Sequence, residues 1–174
     1  MNDTLKVIKE RRGCKTFKPE QIKDEELQAI LEAGTYAATG RGMQSPIIIS
    51  ITNKDMIDKI RKINLDIMGN PPIDPFYGAP QLCVVLADKS SMTYVYDGSL
   101  VIGNMMLAAT SLGIGSRWIH RAKETFETEE GKEILKSLGI EGDYEGIGNC
   151  ILGYPSEPLP EAAPRKENYI YYIK

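Results

Sequence analysis

The chain has 174 residues, enough for one domain with a sizeable core, and its 42% hydrophobic and 26% charged residues are ordinary for a globular protein. A net charge of −3 argues against a general nucleic-acid binder, which carries a basic surplus. No apolar run reaches the roughly 18 residues of a membrane span, and the N-terminal MNDTLKVIKERR lacks the apolar centre of a secretory signal.

Asp3 or Thr4 is placed to cap a short helix running to about Arg12, with Leu5 and Ile8 on its inner side. A second helix starts near Asp24, where Leu27, Ile30, Leu31 and Gly34 keep helical spacing. YAATGRGMQSP (36–46) breaks that period and reads as a loop. IIISIT (47–52) has the continuous β-branched character of a buried strand. Asn53 is a cap for a helix with Met56, Ile60, Ile63 and Ile67 on one face. The proline-rich stretch 68–80 is irregular, and QLCVVLAD (81–88) is a second buried strand.

The longest helix runs from about Val95 to Leu112 and is apolar on more than one face, which places it in the core or at a subunit interface. GIGSRWI (113–119) leaves it through glycines, an acidic helix covers about 128–138, and GIGNCILGY (146–154) is a third strand. The proline-rich tail ends in Tyr169, Ile170, Tyr171, Tyr172 and Ile173. That alternation suits a strand added to a sheet edge, its own or a partner's, or a tail packed on its own subunit. Strands interleave with helices, so 1–174 reads as one α/β or α+β domain around a single sheet.

Cys14, Cys83 and Cys150 are odd in number with no CxxC pair, which suits free thiols in a reducing compartment, so the cytoplasm is the expected location. His120 is the single histidine, so a multi-histidine metal site is excluded and no metal is expected. No GxSxG elbow or phosphate-binding GxxxxGK[ST] loop occurs, and the GxG triplets lack the third glycine of a dinucleotide fingerprint. A chain so poor in nucleophile–base pairs either binds without catalysing or takes its chemistry from a cofactor. Arg11, Arg12, Lys15 and Lys18 crowd the end of the first helix. The helix dipole accounts for any one of them, but four cations together invite an anion, and by residue type the two readings are even. Thr39, Gln44 and Ser45 in the loop, and Arg165 and Lys166 in the tail, are further elements suited to a phosphate-bearing ligand.

These segments resemble the nitroreductase family of FMN enzymes. ERRGCKTF is similar to the family's RRSxRxF motif, and AATGRGMQSP to its APSGxNxQPW loop, in the small variant where QSP replaces QPW. GIGSRWIHRA resembles G[LI]GSCWI, and ILGYPSEPLPEAAPRK resembles LGYPxExPxPKPRK; FYGAP and GNMMLAA also match, in the correct order along the chain.

The resemblance implies an α+β fold, a three-layer sandwich whose central mixed sheet is flanked by helices, with a domain-swapped C-terminal tail. It implies a homodimer with two FMN sites at the interface and no nucleic-acid or membrane partner. Carried over, Arg11, Arg12, Gly13 and Lys15 would contact FMN, with Lys15 the charge near N1 and O2. Gln44 and Ser45 would come from the loop, Ser45 near the partner's flavin. Trp118, Ile119 and His120 would pass the isoalloxazine, and Arg165 and Lys166 would close on the phosphate. The implied reaction is ping-pong: NADH or NADPH reduces the flavin, and a nitroaromatic, quinone or similar small acceptor reoxidises it, with no side chain needed as acid or base. Dehalogenation or flavin breakdown on the same fold, and a non-catalytic FMN module for redox storage or sensing, are the alternatives. Four positions depart from the family pattern: Gly13 for serine, Lys15 for arginine, Arg117 for cysteine and Ala163 for the first lysine of PKPR.

Overall fold

The computed structural model describes residues 2–174. Helices α1 (Asp3–Glu10) and α2 (Asp24–Thr35) precede a short 3-10 turn (Gly40–Gly42) and strand β1 (Pro46–Ile51). Helix α3 (Lys54–Ile67), strand β2 (Gln81–Asp88) and helix α4 (Tyr94–Ser111) follow. Strand β3 (Gly115–Ile119), helices α5 (Ala122–Glu127) and α6 (Glu129–Ser137), and strand β4 (Tyr144–Gly153) complete the domain.

The strands lie in the order β1-β2-β4-β3, each pair antiparallel. Among the described residues a parallel pairing enters only at the bridge between Gly13 and Ser116, so the mixed character of the sheet rests on the N-terminal segment. Side-chain alternation divides two cores. Cys83, Val85 and Ala87 of β2 face α2 and α4, packing with Ile30, Ile102 and Met105. Leu82, Val84 and Leu86 face α3, α5 and α6, packing with Ile60, Phe126 and Ile134. Helix, sheet and helix thus form the three expected layers, and β2, buried on both faces, is the continuous apolar run its sequence announced.

Several local expectations need correction. Asn2, rather than Asp3 or Thr4, caps α1, its side chain accepting from the Leu5 N–H at 3.0 Å. The helix stops at Glu10, and Leu5 and Ile8 are exposed rather than inner. The strand expected over 47–52 is an edge strand: Ile47 and Ile48 are half-buried and Ser50 is exposed, because β1 has a partner on one side only. Residues 113–119, read as a glycine exit, contain β3, which a window so rich in glycine conceals. The acidic helix expected over about 128–138 is α6, capped by the Thr128 hydroxyl accepting from the Gly131 N–H at 3.0 Å, and the short α5 before it was not expected. Among the described residues no helix is long and apolar enough to cross a membrane.

Candidate functional site

The basic segment after α1 is built into the sheet. Gly13 bridges Ser116, and the Cys14 N–H donates to the Ser116 carbonyl at 3.0 Å. The Lys18 N–H donates to the Tyr154 carbonyl at 2.8 Å, and the Ser156 N–H returns to the Thr16 carbonyl at 3.2 Å. Residues 13–18 are therefore clamped beside β3 and the exit of β4 by bonds that need no particular side chain.

Arg12 folds back, its Nη1 donating to the carbonyls of Lys9 and Arg11, both at 2.7 Å. Its Nε is buried with no partner. Arg11 and Arg12 are half-buried and Lys15 is exposed. An orphaned guanidinium donor amid neighbouring cations is an arrangement that an anion completes. The donor set fits a phosphate-bearing group.

On β3, Trp118 packs into the α2/α4 core, and a Cβ added at Gly148 would lie 2.7 Å from its ring. Ile119 packs on the opposite core. His120 is exposed, and its carbonyl accepts from Asn149 Nδ2 at 3.1 Å. The Trp118 and Ile119 side chains serve packing, and nothing in the structure assigns the His120 imidazole to proton transfer. Burial pushes the Cys83 thiol up to about 12 and Cys150 well above its ordinary value, so neither is a nucleophile.

The loop with Gln44 and Ser45 stands elsewhere. Ser45 is buried, its hydroxyl donating to Asp97 Oδ2 at 3.3 Å. The Gly40 N–H donates to Asp97 Oδ1 at 3.0 Å and the Thr93 hydroxyl to Oδ2 at 3.0 Å. Asp97, 3% exposed in the first turn of α4, thus pins the loop beside β1. Gln44 is exposed, and Arg41 and Gln44 have φ of 55° and 49°, a left-handed conformation that few side chains adopt. Arg165 and Lys166 lie in the exposed tail, where Arg165 Nη2 donates to the Ala163 carbonyl at 2.6 Å.

One chain therefore unites Arg11, Arg12, Gly13 and Lys15 with Trp118, Ile119 and His120. It leaves Gln44 and Ser45 at the opposite sheet edge and Arg165 and Lys166 on the tail. Asp97 was missed in the sequence reading, although one carboxylate in an otherwise apolar helix was a signal. Arg117 stood out there only as a departure from a motif.

A three-layer α+β domain with a clamped cationic segment, and no nucleophile–base pair among the described residues, suits the class of proteins built around a bound anionic cofactor. Comparison with known proteins narrows that class: the profile of the Nitroreductase family matches residues 8–154, and the chain belongs to this family. It is similar to a nitroreductase crystallised with bound FMN from Bacteroides fragilis, with TM-score 0.91, 29% identity and 100% of both chains covered. It also resembles one with bound FMN from Desulfitobacterium hafniense, with TM-score 0.89, 30% identity and 100% of both chains covered. An NADPH-flavin oxidoreductase of Vibrio harveyi is 23% identical over 95% of this chain and 70% of its own length.

Proposed function

We propose that the chain is an NAD(P)H-dependent flavin oxidoreductase that holds one FMN per site in a homodimer and passes electrons to nitroaromatic, quinone or similar small acceptors. The observation that carries this reading is the cationic stretch 11–15 leading into the clamped segment, where Arg12 Nε is a buried donor without a partner. When bound, FMN would supply the hydride chemistry of a ping-pong exchange between NADH or NADPH and the acceptor. The protein's part is to bind and orient. Arg11 and Arg12 hold the phosphate end, Lys15 sets positive charge beside the ring, and the backbone of Trp118–His120 lines one side. Trp118, wedged over Gly148, fixes that backbone, and the arrangement requires no side-chain acid or base.

Three features support the second copy. Leu5 and Ile8 of α1 and Tyr96 and Leu100 of α4 are 49%, 50%, 72% and 49% exposed, an apolar surface that association would cover. The edge of β1 away from β2 is open, beside a groove of about 660 Å³ lined by Leu31, Ala37, Gln44 and Ile48. Tyr169 to Ile173 extend in the open, with the alternation of an added strand. A partner's loop would then bring Gln44 and Ser45 to the cationic segment, and a swapped tail would bring Arg165 and Lys166. The cytoplasm is the expected location.

Purified protein is expected to be yellow, to bleach anaerobically with NADH or NADPH, and to recover its colour on adding a quinone or nitroaromatic. Bleaching without recovery would favour redox storage, and protein that stays colourless after incubation with FMN would remove the flavin reading altogether.

A further inference from the structure

Arg117 leaves β3 toward the α3 side and lies across the face of Tyr77, its Cζ 5.2 Å from the ring centroid. Tyr77 is held for this contact in an unusual conformation. Its φ of 53° is uncommon for a bulky residue, and Asp74 braces the turn, accepting from the N–H groups of Phe76 at 2.9 Å and Gly78 at 2.7 Å. The ring covers one face of the guanidinium and leaves its in-plane donors open. Among the described residues the Arg117 guanidinium makes no ion pair and no hydrogen bond.

Its tip reaches the basic segment. A Cβ built on Gly13 would lie 2.8 Å from Arg117 Nη1, so the guanidinium fills the space where a side chain at position 13 would begin. Its charge is felt one residue on, at Cys14, whose thiol burial pushes up while two backbone hydrogen bonds and then Arg117 oppose the rise. A fork-shaped cation with unused donors, brought against a segment that already carries Arg11, Arg12 and Lys15, is unfavourable unless an anion joins it.

We propose that Arg117 is a phosphate ligand, recognising the 5′-phosphate of FMN from the space that Gly13 leaves empty. The proposal rests on the flavin reading above and adds a residue to it. Gly13 and Arg117 then form one device: the missing side chain admits the guanidinium, and the guanidinium supplies the contact. A side chain at position 13 would displace the fork, so the two departures from the family pattern belong together.

The test is titration of apoprotein with FMN and with riboflavin, which lacks the phosphate, followed by quenching of flavin fluorescence. Arg117→Gln is expected to weaken FMN about ten- to a hundred-fold, the worth of a charge-assisted contact, and to leave riboflavin binding unchanged. Inorganic phosphate should compete with FMN less well in the variant. Arg117→Lys should recover part of the loss, and Gly13→Ser should weaken FMN in wild type but add little to Arg117→Gln. Thermal melting of the apoproteins checks that each variant folds. Wild-type FMN affinity in Arg117→Gln would overturn the assignment while leaving the flavin reading intact, as would equal losses for FMN and riboflavin. Wild-type protein that binds neither flavin would overturn both.

Discussion

Residues 13–18 at the β3 edge are held by backbone bonds to Ser116, Tyr154 and Ser156, whereas residues 39–45 at the β1 edge hang chiefly on the carboxylate of Asp97. The first arrangement fixes the backbone without using the side chains of Arg11 and Lys15, and it leaves Arg12 Nε without a partner. The second spends its polar side chains internally, since the Ser45 hydroxyl and the Gly40 N–H both turn toward Asp97. One protomer by itself brings Arg11, Arg12 and Lys15 beside β3. The loop side presents an exposed Gln44 with nothing in its own chain to recognise.

The broadest way to break this comparison is to remove the tail that should bind the two halves into a dimer. Deleting residues 158–174 is expected to give a monomer by light scattering and to abolish retention of flavin. A truncated protein that stays dimeric and yellow would show that the clamped segment suffices without Arg165 and Lys166. Next in size, Arg12→Ala should raise the Kd for FMN about a hundred-fold, because charged donors to phosphate are lost. Lys18, exposed and 3.9 Å from Glu20, should tolerate the same change within about two-fold. Equal retention of FMN in both variants would detach the phosphate from the clamped segment.

Asp97→Ala tests the loop side. It strands the Gly40 N–H and frees the 39–45 loop, and should lower stability in urea unfolding by about 2 kcal/mol. An unchanged midpoint would mean that the loop is held by packing and that its carboxylate anchor is incidental.

The smallest expected effect sharpens the clamped side. Tyr154, whose carbonyl receives the Lys18 N–H, donates its hydroxyl to Glu26 Oε2 at 2.5 Å. That bond, more than any other influence, holds the Glu26 carboxyl below its ordinary value and the Tyr154 hydroxyl above its own. A depressed carboxylate contributes stability above its unfolded pKa and loses it as pH falls through the folded value; a raised phenol loses its contribution as pH rises through its folded value. Tyr154→Phe should therefore flatten the fall in Tm between about pH 6 and about pH 3. An unaltered acid limb would assign that fall to other carboxylates.

The sequence by itself determined what is local or repeated. The period of Leu27, Ile30 and Gly34 fixed α2, and the unbroken apolar run of Gln81–Asp88 fixed β2, because the side-chain pattern of each suits one environment only. Asn53 marked the start of α3, and the crowded cations of 11–18 marked the ligand-facing segment, while the ordered motifs gave the family. Tertiary structure decided which face each element shows and what each polar group meets. Leu5 and Ile8 have the spacing of a buried stripe, yet about half of each side chain stays exposed. IIISI has the composition of a central strand, yet it closes the sheet, because strand order depends on pairings between residues as distant as Gln81 and Leu152. The partnership of Arg117 with Gly13 has the same origin: no spacing rule links two residues that far apart, and only the parallel bridge from Gly13 to Ser116 lays one against the other.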